Sequence, residues 1–166
     1  MMNVLAILSL AGALTGHNLP APSWESDYSL ALKLAESKQK PIALFVAAGP
    51  AGWQKLTREG GLSAPASQTL SDRYICLFID TETAQGKRTA TAFGLTDSLG
   101  LIISDRTGKL QAFRHTGQLS QAELADRLVK YADSGRPVAT TETVAAPVPA
   151  PYTPTPSYGG CPNCRH

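Results

Sequence analysis

No block of lysine or arginine, no internal repeat and only three cysteines occur in this chain, and each shortage removes a class of function. Its 15 basic and 13 acidic residues are interspersed, so no cationic stripe could track a phosphate backbone, and nucleic acid is not an expected partner. The cysteines supply one Cys-x-x-Cys, Cys161-Pro-Asn-Cys164, and no second pair with which to close a four-cysteine zinc site. Arg165 stands before His166, which breaks the Cys-x-x-Cys-His pattern of haem attachment. The apolar run Met1 to Leu14 is too short to cross a bilayer, and no stable membrane span is expected.

That run ends in small residues, with Ala11-Gly-Ala13 matching a signal-peptidase site, although its start carries no Lys or Arg. Residues 1–23 are therefore expected to be a signal peptide and spacer, and the protein to be exported to a periplasmic or extracellular compartment. A buried amino-terminal helix is the alternative. In an oxidising compartment Cys161 and Cys164 can pair, leaving Cys76 as the odd thiol. Cys76 lies within Tyr74-Ile-Cys-Leu-Phe-Ile79, an apolar run of strand length, where a cysteine acts as a small buried hydrophobe.

At 166 residues and 43% hydrophobic, the chain can bury one ordinary core, and the composition confines it to residues 24–133. Ser26 or Asp27 can cap a helix with Tyr28, Ala31, Leu32 and Ala35 on one face and Lys33 and Glu36 towards water. Pro41 to Ala47 reads as a strand covered on both faces. A short helix over Trp53 to Glu59, a second from Ser63, a strand over Tyr74 to Ile79 and a helix over Lys87 to Phe93 follow. Leu101 to Ile103 and Leu110 to Arg114 form a hairpin, and Ser120-Gln-Ala-Glu123 opens a final helix that buries Leu124, Leu128 and Tyr131. This order predicts an α/β fold, a mixed sheet flanked by helices.

From residue 134 to 166 the composition turns to Pro, Ala, Val and Thr, and a flexible, extended, proline-rich tail without packed structure is expected, ending in the Cys-x-x-Cys.

Several landmarks occur in a telling order: Ala31 to Lys40 before Pro41-Ile42, then Ala48-Gly-Pro-Ala51, Phe78-Ile-Asp80, Phe93-Gly-Leu95 and Ile103-Ser-Asp-Arg-Thr-Gly108. In these the chain resembles the thioredoxin-like superfamily. The resemblance implies a thioredoxin-like sheet and a reactive turn where active members carry Cys-Gly-Pro-Cys at a helix start, whose dipole favours thiolate. Ala48 and Ala51 stand in place of those cysteines, so no catalytic residue is expected at the inherited site. The acidic residue usually buried behind the turn corresponds to Leu44, and the family's cis-proline falls at Leu99. A degenerate site of this kind points to a module that binds or scaffolds an unknown protein or peptide, with Gly49, Pro50, Trp53 and Leu99 as candidate binding residues.

Two alternatives stay open. Cys161 and Cys164 are candidate redox residues for thiol–disulfide exchange, and Cys161, Cys164 and His166 are a candidate zinc-ligand set lacking a fourth donor, for which His115 is a possible source. No other cofactor is expected. His115 itself is expected at the surface or in the hairpin. Asp80, Glu82 and Thr83 cluster at a strand's carboxyl end, a common ligand location in sheets covered by helices, although such a cluster is more often a polar loop.

Overall fold

The computed structural model describes residues 21–95, 99–133, 138 and 141–145. Among them the elements run β1 (Trp24–Glu25), α1 (Tyr28–Lys38), β2 (Ile42–Ala47), a 3-10 helix (Gly52–Leu56), α2 (Ala64–Arg73), β3 (Ile75–Asp80), α3 (Ala84–Ala92), β4 (Gly100–Ser104), β5 (Gln111–Thr116), α4 (Gln121–Tyr131) and β6 (Glu142–Ala145). The strands form one mixed sheet in the order β1-β3-β2-β4-β5-β6. β3 runs parallel to β2, β4 antiparallel to β2, β5 antiparallel to β4, and β6 parallel to β5.

Alternation along β2 explains the layers. Ile42, Leu44 and Val46 face Ala31 and Ala35 of α1 and Ala90 of α3, whereas Ala43 and Phe45 face Ala66 and Leu70 of α2 and Leu124 and Leu128 of α4. All six residues of β2 are buried, which accounts for the unbroken apolar run in the sequence. Each large side chain so buried contributes about 1.5–3 kcal/mol, and the sheet is held between its helices mainly by this burial.

The helix boundaries follow local chemistry. Asp27 accepts from the amides of Ser29 and Leu30, Ser63 from that of Ala66, and Thr83 from that of Gly86. At α4 the Ser120 side chain accepts from the Glu123 amide while the Glu123 carboxylate accepts from the Ser120 amide, the reciprocal pair that the sequence announces. α3 starts at Ala84, earlier than Lys87, because the Thr83 cap fixes its first turn.

Two strands were not foreseen. β1 is two residues long, too short for any periodicity to show, and pairs with Cys76 and Leu77 of β3. β6 lies inside the segment expected to be an unpacked tail. Glu142-Thr-Val-Ala145 contains no proline, so its amides can join a ladder, and it pairs with Phe113 to Thr116 at the sheet edge. Glu142 anchors it, receiving bonds from Arg127 at 2.8 Å, from Lys130 at 2.5 Å and from the Tyr131 hydroxyl of α4. The remainder of the tail and the amino-terminal apolar run lie outside the described residues.

Candidate functional site

The carboxyl end of β2 delivers the chain into the turn Ala48-Gly-Pro-Ala51 and then into the 3-10 helix. Gly49 sits at φ 86°, a left-handed conformation that strains any side chain other than hydrogen. Its amide donates to the Asp80 carboxylate at 2.8 Å, and the same oxygen accepts from the Glu82 amide at 2.9 Å. Asp80 thus ties the turn to the end of the neighbouring strand β3. The Gly52 amide closes the turn on the Gly49 carbonyl at 2.9 Å. A Cβ at Gly52 would lie 2.8 Å from that of Ala47, so the 3-10 helix approaches β2 only because this residue is glycine. Lys55 donates from its ammonium to the Ala48 carbonyl at 3.3 Å.

Pro50 and Ala51 are exposed at the crest of the turn, and Ala48 and Gly49 are half-buried. Neither alanine offers a nucleophile or a proton carrier. Leu44, behind the turn, is buried on the α1 and α3 side, with no carboxylate in its place.

Beside the turn stands an aromatic cluster. Trp53 stacks on Trp24 at 5.4 Å with an interplanar angle of 27°. Trp24 in turn meets Phe45 edge-on at 5.0 Å and Phe78 at 6.5 Å. Both indoles are half-buried, so Trp53 both packs over the sheet and keeps part of its ring at the surface. Leu99, also half-buried, packs against the same core, and its carbonyl accepts from the Gly117 amide. The candidate residues Gly49, Pro50, Trp53 and Leu99 are therefore gathered at one end of the sheet. Trp24 belongs with them and was missed, because nothing local to it in the sequence signals a partner 29 positions away.

The acidic cluster has a structural task. Asp80 braces the turn and Thr83 caps α3, while Glu82 is exposed near Gly49, its carboxylate 3.7 Å from where a Cβ there would be. Among the described residues no group of three potential metal ligands forms.

Cys76, on β3, is buried, with its thiol directed at the Leu70 carbonyl. Burial pushes the thiol up to about 12, against a small opposing pull from Lys40, so it is a neutral, unreactive group at physiological pH. Of the two places expected for His115, the hairpin is the one found and the surface is not. It lies on β5 opposite Leu101 and is only 3% exposed. Strand alternation sets it on the same face as Phe113, and the loop through Gln118 covers it. Its Nε2 lies 3.4 Å from the Gln118 carbonyl, and its Nδ1 has no hydrogen-bond partner among the described residues. So enclosed, it is not accessible as a fourth ligand for an external zinc. Cys161, Cys164 and His166, the candidate redox and metal residues, lie outside the described residues.

Among the described residues, no helix is long and apolar enough to cross a membrane. No family model and no curated protein matches the sequence. Solved structures do match in three dimensions. The chain is similar to a thioredoxin from Thermus thermophilus, at 18% identity and a TM-score of 0.57, with 70% of this chain and 92% of that chain covered. It is also similar to a protein described as DsbH oxidoreductase, at 20% identity and a TM-score of 0.52, with 70% and 88% covered. Likeness at this level of identity speaks for the fold alone, and the described residues adopt a thioredoxin-like fold.

Proposed function

We propose that this thioredoxin-like domain is exported and binds a protein or peptide through the Ala48–Ala51 turn and the adjoining Trp53 and Leu99, without dithiol chemistry at that turn. The observation that carries this reading is the contrast between a turn kept in shape and a turn without reactive groups. Asp80, Gly49 and Gly52 hold its geometry, yet Ala48 and Ala51 cannot attack a disulfide, and Cys76 is buried as a neutral thiol. A half-exposed indole beside an exposed proline offers the rigid apolar contact that a peptide can bury at small entropic cost.

Thiol–disulfide exchange by Cys161 and Cys164 is the second reading. It is supported by β6, whose last residue, Ala145, lies at the sheet end that carries the turn. Arg165 and His166 beside Cys164 favour thiolate.

One pair of assays separates the two. Insulin reduction by dithiothreitol is followed with the full chain and with its Cys161→Ser/Cys164→Ser variant, and binding is measured on a randomised peptide library with the full chain and with Trp53→Ala. The binding reading expects exchange at the uncatalysed rate in both proteins and retained peptides whose affinity falls at least tenfold in Trp53→Ala. Catalysed reduction that vanishes in the double serine variant would replace it with the second reading.

A further inference from the structure

On the sheet face that α1 and α3 cover, a small apolar cavity of about 60 Å³ lies over β2 and β4, partly open to solvent. Leu44 and Ile102 form its floor, Tyr28 of α1 and Phe93 at the end of α3 its walls, and Gly108 and Leu110 of the β4–β5 hairpin its rim. Tyr28 and Phe93 meet edge-on at 5.1 Å, and the Tyr28 hydroxyl donates to the Gly108 carbonyl at 3.4 Å, so helix and hairpin are tied together around it. An apolar cavity of about 150 Å³ admits a benzene ring, so this smaller one suits a short branched alkyl group.

Arg114 of β5 stands beside the cavity. It is paired with Ile102 across the β4–β5 ladder, and residues so opposed project on the same face with their Cβ atoms about 5 Å apart. Its Nη1 lies 2.7 Å from where a Cβ on Gly94 would be, so the guanidinium rests on the bare backbone of the residue after Phe93. Floor and wall of the cavity thus both border this cation.

Its charge is uncompensated. Among the described residues Arg114 forms no ion pair, and its buried Nε has no acceptor, which leaves the Nη groups as the donors that a ligand reaches. A guanidinium partly stripped of water and left unpaired is costly, and an anion in bidentate contact relieves that cost. Lys109, which also lines the cavity, is already turned to Glu36 at 3.4 Å.

We infer that the cavity and Arg114 together form a binding site for a small monocarboxylate with a short branched alkyl chain, the chain entering the cavity and the carboxylate accepting from the guanidinium. An apolar pocket with one charged handle fixes both the shape and the sign of what it takes. An amine of the same shape would bring like charge against Arg114, and a carboxylate without the chain would leave the cavity empty. Trp53 and Leu99 pack with the core on the other face of the sheet, so the inference stands apart from peptide binding at the turn.

The test is a titration of the isotope-labelled full chain with isovalerate, read from backbone amide shifts. Acetate and isopentylamine serve as the carboxylate without the chain and the chain with the opposite charge. The inference expects saturable shifts at Phe93, Gly94, Ile102 and Arg114, with acetate and isopentylamine each binding at least tenfold more weakly. Arg114→Gln, which removes the charge from a half-buried position, should weaken isovalerate at least tenfold while the rest of the spectrum is kept. If that variant does not fold, the ligand series decides alone. Isopentylamine binding as tightly as isovalerate, isovalerate affinity unchanged in folded Arg114→Gln, or no saturable shift at these four residues would each overturn the inference.

Discussion

The Gly49 amide donates to the Asp80 carboxylate at 2.8 Å across 31 positions of sequence, and this bond fixes the shape of the candidate site. The same oxygen accepts from Glu82 at 2.9 Å, so one side chain organises the ends of two adjacent strands. An ionised acceptor makes each bond stronger than a neutral one, and partial exposure tempers that advantage. Asp80→Ala is expected to cost about 1–2 kcal/mol, seen as a lower urea midpoint at unchanged slope, and to weaken peptide binding by more than the stability loss explains. Binding that survives in the folded variant would separate the turn's shape from recognition.

Cys76 makes the redox prediction sharp. With its thiol held neutral up to about 12, it should resist iodoacetamide at pH 8 in the native protein and react only as fast as the domain opens. The sign of the pH effect follows. The folded value lies above the ordinary 9.0, so this stabilisation is fully present below about 9 and is lost as pH rises towards 12. Tyr74 adds to the same trend, since burial also raises its hydroxyl, which donates to the Leu128 carbonyl at 2.7 Å. Urea midpoints should therefore fall between pH 9 and pH 11, and Cys76→Ala should flatten the slope. A native thiol that alkylates at the rate of a free cysteine would show that β3 does not exclude solvent.

His115 offers a prediction with the opposite sign to most core substitutions. Its Nδ1 is buried with no partner among the described residues, and its Nε2 makes one long contact to the Gln118 carbonyl. A polar group enclosed in this way gives up hydration without full recompense. His115→Phe, which keeps a flat ring among Phe113, Leu101 and their neighbours, is expected to leave stability unchanged or raise it by about 1 kcal/mol. Thermal denaturation measures this directly, and a loss above 2 kcal/mol would mean that the ring's nitrogens are better satisfied than the geometry shows.

Sequence carried the parts of this fold that local chemistry decides. The Ser120 and Glu123 capping pair, the Asp27 cap and the apolar run of β2 follow from residues close together in the chain, and each is present. β1 escaped because two residues have no period, and β6 because composition dominated by prolines hides four residues without one. Burial of His115 depends on the loop that returns through Gln118, which residue type does not reveal. At the candidate site the turn was legible as a motif, while its brace and its aromatic wall were not. Asp80 and Trp24 reach Gly49 and Trp53 through β-sheet pairing between distant strands, and only the register shows who meets whom.

β6 is held by a charge arrangement that acid should release. The Glu142 carboxylate accepts from the Lys130 ammonium at 2.5 Å, from the Tyr131 hydroxyl and from Arg127 at 2.8 Å. Those bonds, Lys130 foremost, bring its carboxyl down to about 2 from an ordinary 4.5. A depressed folded value means that the stabilisation is present above about 4.5 and is lost as pH falls towards 2. The pair is substantially exposed, so the net effect is about 1 kcal/mol or less, too little to unfold the domain but enough to matter for a four-residue edge strand. Hydrogen exchange should show the β6 amides losing protection between pH 4.5 and pH 2.5 while β2 keeps its own. Glu142→Gln should reproduce that loss at pH 7.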